Sequence, residues 1–244
     1  MAFCSVNFYG NSIQKASGMN VILPEGKGPF PVLYLLHGLS DDHTMWQRRT
    51  SIERYVGELP LIVVMPDGGR SFYCNGEQGP YEDHIVKDVV GFVDRTFPTI
   101  PRRTGRAVAG LSMGGFGAMM LAMRHPDMFC AACSHSGAFV LRDPVANRAD
   151  VQQILSGIHA KQYDVFLLAA ALKKSGRKIA CRLDCGTEDF LIEHNRRLHA
   201  HLDKLGLKHE YAEHPGDHNW EYWDEHIRQT LEFVMKNMGK PKTT

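Results

Sequence analysis

The chain has 244 residues, a size that suits one α/β domain or a small pair. Hydrophobic content of 43%, charged content of 23% and a formal net charge of +1 describe an ordinary soluble globule and support neither a nucleic-acid nor a membrane-surface partner. No apolar run approaches the length of a membrane span, and residues 1–10 lack the basic-then-apolar pattern of a secretory leader, so the expectation is one cytoplasmic domain over 1–244.

Residues 5–9 and 17–23 predict two early strands joined as a hairpin. Pro24-Glu25-Gly26-Lys27-Gly28-Pro29 is a turn-rich break. The continuous apolar run 32–36 predicts a strand buried on both faces. A helix over 50–56 follows, then a buried strand over 61–65 closed by Pro66-Asp67-Gly68-Gly69, then a polar, Gly-rich loop to about Pro80. Ile85, Val89, Phe92 and Val93 fall at helical spacing within 82–97, and Pro98 stops that helix. Strand 106–111 leads into helix 114–124, and strand 129–134 comes next. Residues 140–175 read as helical and irregular, an insertion that caps the sheet. Strand 179–185, helix 193–205, strand 209–213 and helix 222–236 complete the chain. Strands alternating with helices imply an α/β fold with a mainly parallel central sheet and helices on both faces. Such sheets bind ligands at the carboxyl ends of their strands. His37-Gly38, Asp67, Ser112, Asp189 and His218 all fall at such ends.

The most informative stretch is Ala107-Val108-Ala109-Gly110-Leu111-Ser112-Met113-Gly114-Gly115. It reads as an apolar strand, then G-x-S-x-G, then a helical run, which is the context of a nucleophile elbow. A serine on so tight a turn is held in strained backbone, and neighbours with a Cβ would clash. The turn lifts Oγ clear of the sheet and sets it near a helix N-terminus, where a developing anion is favoured.

A serine hydroxyl needs a base in hydrogen-bond reach, and the base needs a third group to fix its tautomer. Among thirteen histidines, His218 in Gly216-Asp217-His218-Asn219-Trp220 is the best base. It sits in the turn between the last strand and the last helix. His214 ranks second, and His194, His199 and His201 read as a solvated helix face. In Cys185-Gly186-Thr187-Glu188-Asp189-Phe190, Asp189 is the acid of choice. Glu188 is one residue off, Asp184 lies inside the strand and Asp217 points elsewhere. An Asp at such a turn also serves as a helix cap, and Asp189 can do both.

The oxyanion requires two backbone N–H donors. Met113, directly after the serine, supplies one, and Leu39 in His37-Gly38-Leu39-Ser40 the other. Gly38 permits close approach to substrate, and His37 orients the loop. Of the aromatics Trp46, Phe72, Tyr73, Trp220, Tyr222 and Trp223, the pocket expectation rests on Trp46 and Trp220, beside the site loops. Asp41-Asp42-His43 has a metal-like look, but adjacent loop residues more often cap the next helix. Cys130-Ala-Ala-Cys133 lacks a second pair at zinc spacing. The six cysteines read as free thiols packed as small hydrophobes. No metal and no organic cofactor is expected.

His37-Gly38-Leu39-Ser40 with Trp46, Gly110-Leu111-Ser112-Met113-Gly114-Gly115, Ser136-Gly137-Ala138, the run from Gly186 to Leu191, and Asp217-His218-Asn219-Trp220 occur in order along nearly the whole chain. Together they resemble the esterase D / S-formylglutathione hydrolase branch of the α/β-hydrolases. The likeness is greatest to the tributyrin-esterase type of short-chain carboxylesterase, with feruloyl and acetyl-xylan esterases as relatives. The resemblance implies Ser112, Asp189 and His218 as a catalytic triad, Leu39 and Met113 as the oxyanion hole, a small-molecule ester substrate and a homo-oligomer. A thioester such as S-formylglutathione would use the same triad. A non-catalytic binding module on this scaffold is the contrasting reading, and it is disfavoured because serine, histidine and the elbow glycines are all present.

Overall fold

A computed structural model describes residues 1–141 and 149–239. Its central sheet has eight strands in the order β1-β2-β4-β3-β7-β8-β9-β10. β1 (Ala2–Gly10) and β2 (Lys15–Leu23) form the expected antiparallel hairpin, and β2 pairs antiparallel with β4 (Ile62–Pro66). From β4 onward all neighbours are parallel: β3 (Val32–Leu36), β7 (Arg106–Leu111), β8 (Ala131–His135), β9 (Ala180–Gly186) and the edge strand β10 (His209–His214). A two-residue ladder, β5 (Asn75–Gly76) with β6 (Gly79–Pro80), sits apart from this sheet.

The inner strands read as unbroken apolar runs because both faces are covered. In β3, Val32, Tyr34 and Leu36 join one core while Leu33 and Leu35 join the other. Helices α1 (Met45–Arg49), α2 (Ile52–Val56) and α10 (Trp220–Asn237) supply Trp46, Ile52, Trp223, Ile227 and Val234 to the second core. The first core receives a continuous helix built from α3 (Tyr81–Asp83), a π-helical stretch His84–Val89 and α4 (Val90–Thr96). α5 (Met113–Arg124), α8 (Val165–Ser175) and α9 (Ile192–Lys204) complete that layer. In α5 every residue from Met113 to Met123 is buried, so this helix is apolar all round.

The loop before α3 is less polar in practice than in sequence. Ser71, Phe72, Tyr73 and Cys74 are buried, and the Tyr73 hydroxyl donates to the His37 carbonyl at 3.0 Å. The expected cap over 140–175 divides in three. Residues 142–148 lie outside the described residues. α6 (Ala149–Ser156) carries Val151 to the site cavity, and α7 (Ala160–Tyr163) follows. α8 packs on α5 and α9, with Val165, Ala169 and Leu172 in the first core. All six cysteines are free. Burial pushes the Cys133, Cys181 and Cys185 thiols well up, which makes them poor nucleophiles. No helix among the described residues is long and apolar enough to cross a membrane.

Candidate active site

Ser112 stands between β7 and α5 with φ 52° and ψ −116°. That left-handed backbone costs a side-chain-bearing residue about 1–3 kcal/mol, so the surroundings must enforce it. They do so by hydrogen bonds and by close packing. Ser112 N–H donates to the His135 carbonyl at 2.9 Å, and the Ser112 carbonyl accepts from Phe116 and Ala138 N–H. A Cβ on Gly110 would lie 2.5 Å from the Gly114 carbonyl oxygen, and one on Gly114 would lie 2.5 Å from that of Leu36. Only glycine lets β3, β7 and the first turn of α5 approach this closely.

The three predicted side chains come together. Ser112 Oγ is 3.0 Å from His218 Nε2, and His218 Nδ1 is 2.8 Å from Asp189 Oδ2. Asp189 side-chain atoms are buried, and the His218 ring is 15% exposed, so the serine end faces the open side. The other Asp189 oxygen, Oδ1, accepts the Leu191 N–H at 2.8 Å, so this carboxylate also holds the turn into α9. Burial pushes the Asp189 carboxyl up. The hydrogen bond and charge of His218, with the Leu191 N–H and the Ser136 hydroxyl, outweigh it and hold the group below the usual aspartate range.

The loops that carry Asp189 and His218 are tied to each other. Thr187 N–H donates to the His214 carbonyl at 2.9 Å and Glu188 N–H to that of Gly216 at 3.0 Å. Asp217 Oδ1 accepts the His218 N–H at 2.7 Å, which keeps that carboxylate away from the ring. Asn219 caps α10 by accepting the Tyr222 N–H at 3.0 Å. His214 is turned elsewhere and stacks on His226 with ring centres 4.2 Å apart. Asp184 lies in the core beneath, 2.8 Å from His135 Nδ1.

Met113 is the first residue of α5, so its N–H has no carbonyl one turn back. Leu39, on the loop after β3, lines the same cavity as Met113. His37 organises that loop: Gly68 N–H donates to its Nε2 at 2.8 Å, which leaves Nδ1–H to donate to the Gly38 carbonyl at 2.7 Å. Gly38 N–H in turn donates to Asp41 Oδ2 at 3.2 Å. Asp42 accepts from the Thr44 N–H and hydroxyl at 2.8 and 2.6 Å, a local turn before α1; it does not cap that helix as expected, because Thr44 holds the cap position and no side chain bonds the first turn. Asp67 sits beside His37 Nε2 at 3.5 Å, away from Ser112.

A cavity of about 640 Å³ opens over Ser112. Leu39, Phe72, Leu111, Ala138 and Val151 give it apolar walls, while Asp41, Arg49 and Glu221 give it charged ones. Of the three residues named for the pocket, Gly38 and Trp220 line this cavity. Trp46 does not. Its indole N–H donates to the Leu36 carbonyl at 2.9 Å, its ring is buried, and it meets Trp220 edge-on from the layer below. His194 departs from the solvated-face expectation too: it is buried, and Val140 N–H points to its Nδ1 at 3.4 Å.

Sequence reasoning missed two supports. Ser136 has φ 51°, and its hydroxyl accepts the Trp223 indole N–H at 3.2 Å while contacting Asp189. Phe190 is 62% exposed, yet its ring centre lies 4.6 Å from that of His218 with the planes tilted by 53°. Ser136-Gly137 after a strand and an aromatic beside Asp189 are the only local signals for either.

Known proteins agree with this architecture. A family model described as "Putative esterase" matches residues 10–234. An acetyl esterase of Caldicellulosiruptor saccharolyticus is 26% identical over 97% of this chain and 99% of its own length. The fluorophosphonate-binding serine hydrolase F of Staphylococcus aureus superposes with a TM-score of 0.88 at 30% identity, covering 96% of this chain and 98% of that one. The S-formylglutathione hydrolase FrmB of the same organism superposes with a TM-score of 0.85 at 31% identity and the same coverage. With the family model spanning nearly its whole length, the chain belongs to the "Putative esterase" family and is an ester-hydrolysing enzyme of the serine-hydrolase type.

Proposed function

We propose that Ser112, His218 and Asp189 act as a catalytic triad on short-chain carboxylic esters, with Leu39 and Met113 N–H groups as the oxyanion hole. The carrying observation is the unbroken line from Ser112 Oγ through His218 to Asp189, at 3.0 and 2.8 Å. Ser112 Oγ attacks the ester carbonyl while its proton passes to His218 Nε2. Asp189 accepts from His218 Nδ1–H, fixes the tautomer and steadies the imidazolium. The tetrahedral oxyanion takes the two backbone donors, each worth roughly 3 kcal/mol of transition-state stabilisation. The proton on Nε2 then goes to the departing alcohol and leaves an acyl-Ser112 ester. Water gives its proton to Nε2 and attacks that ester, and the carboxylic acid departs as Oγ regains its hydrogen.

A single domain holds all of this, and residues 140–175 are assigned the shaping of the pocket through Val151 and its helix. Arg49 in the cavity wall and the identity to FrmB favour a second substrate reading, a thioester with an anionic leaving group such as S-formylglutathione. Six unpaired cysteines support a reducing, cytoplasmic setting.

Hydrolysis of p-nitrophenyl acetate, p-nitrophenyl butyrate, S-formylglutathione and methyl ferulate by the wild type and by Ser112→Ala tests the proposal. Loss of every activity in a folded variant, with loss of fluorophosphonate labelling, is the expected result. Undiminished turnover by Ser112→Ala would overturn the mechanism. The substrate with the highest kcat/KM decides between ester and thioester.

A further inference from the structure

At the amino end of the edge strand, away from Ser112, two imidazoles and a carboxylate converge. His199 and Asp203 lie one turn apart on α9, and His209 opens β10. One ligand atom from each lies within 4.8 Å of the others. His199 Nδ1 and His209 Nε2 are 2.8 Å apart. Asp203 oxygens stand 3.5 Å from His199 Nε2 and 4.0 Å from His209 Nε2.

The hydrogen bonds decide which lone pairs face this point. His209 Nδ1 is 2.8 Å from the Leu207 carbonyl, which can only accept. Nδ1 therefore carries the hydrogen, and Nε2 presents a lone pair towards His199. A backbone carbonyl in this position is also what orients metal-bound histidines. His199 is held by stacking on Tyr211, with ring centres 4.2 Å apart and planes 14° off parallel. His209 side-chain atoms are only 3% exposed, so its orientation is set by packing. Two nitrogens on one tetrahedral Zn²⁺ sit roughly 3.3 Å apart, at bond lengths of about 2.0–2.1 Å. A small rotation of the more exposed His199 ring opens the present gap that far. On binding, the ion takes the place of the hydrogen now held between the two rings, and neutral His199 carries its hydrogen on Nε2 instead.

We infer that His199, Asp203 and His209 bind one divalent transition-metal ion of the Zn²⁺ type, with water completing the shell. Two imidazoles select such an ion over Mg²⁺ and Ca²⁺, which take oxygen ligands. α9 follows directly on the Asp189 turn, and β10 runs into the turn that carries His218. The ion therefore clamps the helix and strand that support acid and base, and acts on stability rather than on the chemistry at Ser112.

Calorimetric titration of ZnCl₂ into the chelator-treated full chain tests this, alongside Asp203→Asn and His199→Gln. Asp203 is exposed, so its variant folds. One saturable site is expected in the wild type, weakened at least about tenfold in each variant. Zn²⁺ should raise the thermal midpoint of the wild type but not of the variants, and Mg²⁺ or Ca²⁺ should do neither. Both variants should keep p-nitrophenyl acetate turnover within about twofold, as expected of substitutions outside the reacting site. Absence of saturable binding would overturn the inference. So would Zn²⁺ binding of equal strength in the variants, which would put the ion on the thiols or at His218.

Discussion

Glu188 and Gly216 hold each other twice: Gly216 N–H donates to the Glu188 carboxylate at 2.6 Å, and Glu188 N–H donates to the Gly216 carbonyl at 3.0 Å. Glu188 precedes Asp189, and Gly216 lies two residues before His218, so this pair sets the distance between Asp189 and His218. The Gly216 N–H and the Thr187 hydroxyl hold the Glu188 carboxyl below its usual range. Glu188→Ala is expected to lower kcat/KM for p-nitrophenyl acetate by roughly 10-fold to 100-fold, the scale of a small misplacement of a reacting group. Glu188→Gln keeps an acceptor for Gly216 and should retain most of the activity. Equal rates in wild type and Glu188→Ala would show that α9 and β10 position the two loops unaided.

Asp189→Asn tests the tautomer argument separately. An amide is nearly the shape of the carboxylate, and its carbonyl oxygen can still accept the Leu191 N–H now bonded to Oδ1. With that oxygen engaged, the amide NH₂ faces His218 Nδ1, and the ring hydrogen moves to Nε2, which can then no longer take the Ser112 proton. A fall in kcat of about 10³–10⁴-fold, with an unchanged thermal midpoint, is expected. A loss under tenfold would remove Asp189 from its proposed role.

Gly114 is the steric keystone of the turn. A Cβ there would lie 2.5 Å from the Leu36 carbonyl oxygen and 2.6 Å from that of His37, and backbone atoms cannot move aside as a flexible side chain does. Gly114→Ala should cost about 3 kcal/mol of stability, at the upper end of overpacking effects. It should also abolish fluorophosphonate labelling, because the strained serine and the loop bearing Leu39 would shift together. Wild-type labelling and an unchanged denaturation midpoint would show that the close approach is dispensable.

The parts legible in sequence are those that local chemistry dictates. Buried parallel strands leave unbroken apolar runs, and the elbow needs glycines at fixed offsets from Ser112. Asp189 and His218 each follow a readable strand. What stayed hidden depends on contacts between distant segments. Trp46 was expected in the pocket, but the Leu36 carbonyl binds its indole N–H and draws the ring into the layer below. His194 sits on a helix rich in charge, yet its own face of α9 is covered. The stretch His84–Val89 keeps helical spacing on paper but winds as a π-helix. There, buried His84 meets Asp88 and the Ser17 hydroxyl of β2 at 3.0 and 3.2 Å. Ser136 bears on Asp189 through a positive φ that its sequence neighbours do not announce.

Glu82 offers a test of the fold away from the site. Its side chain is 4% exposed, and it accepts from Arg124 Nε at 2.7 Å, His125 Nε2 at 2.7 Å and the Tyr163 hydroxyl at 2.9 Å. Burial pushes this carboxyl up, but the His125 and Arg124 hydrogen bonds and the Arg124 charge, with Tyr163, bring it down to about 2. The folded value lies below the ordinary one of 4.5, so the unfolded chain binds the proton more readily. The stabilisation is therefore complete above about pH 4.5 and is lost as the pH falls towards about 2. Glu82→Gln leaves Arg124 without its partner carboxylate and should cost about 3 kcal/mol at pH 7. That corresponds to a drop in Tm of roughly 6–12 °C for a chain of this size. Calorimetry between pH 7 and pH 3 should show the gap between wild type and variant narrowing below about pH 4.5, the point at which the unfolded carboxyl begins to take up its proton. A gap that stays constant with pH would mean that shape, not charge, is what Glu82 contributes at the junction of α3, α5 and α7.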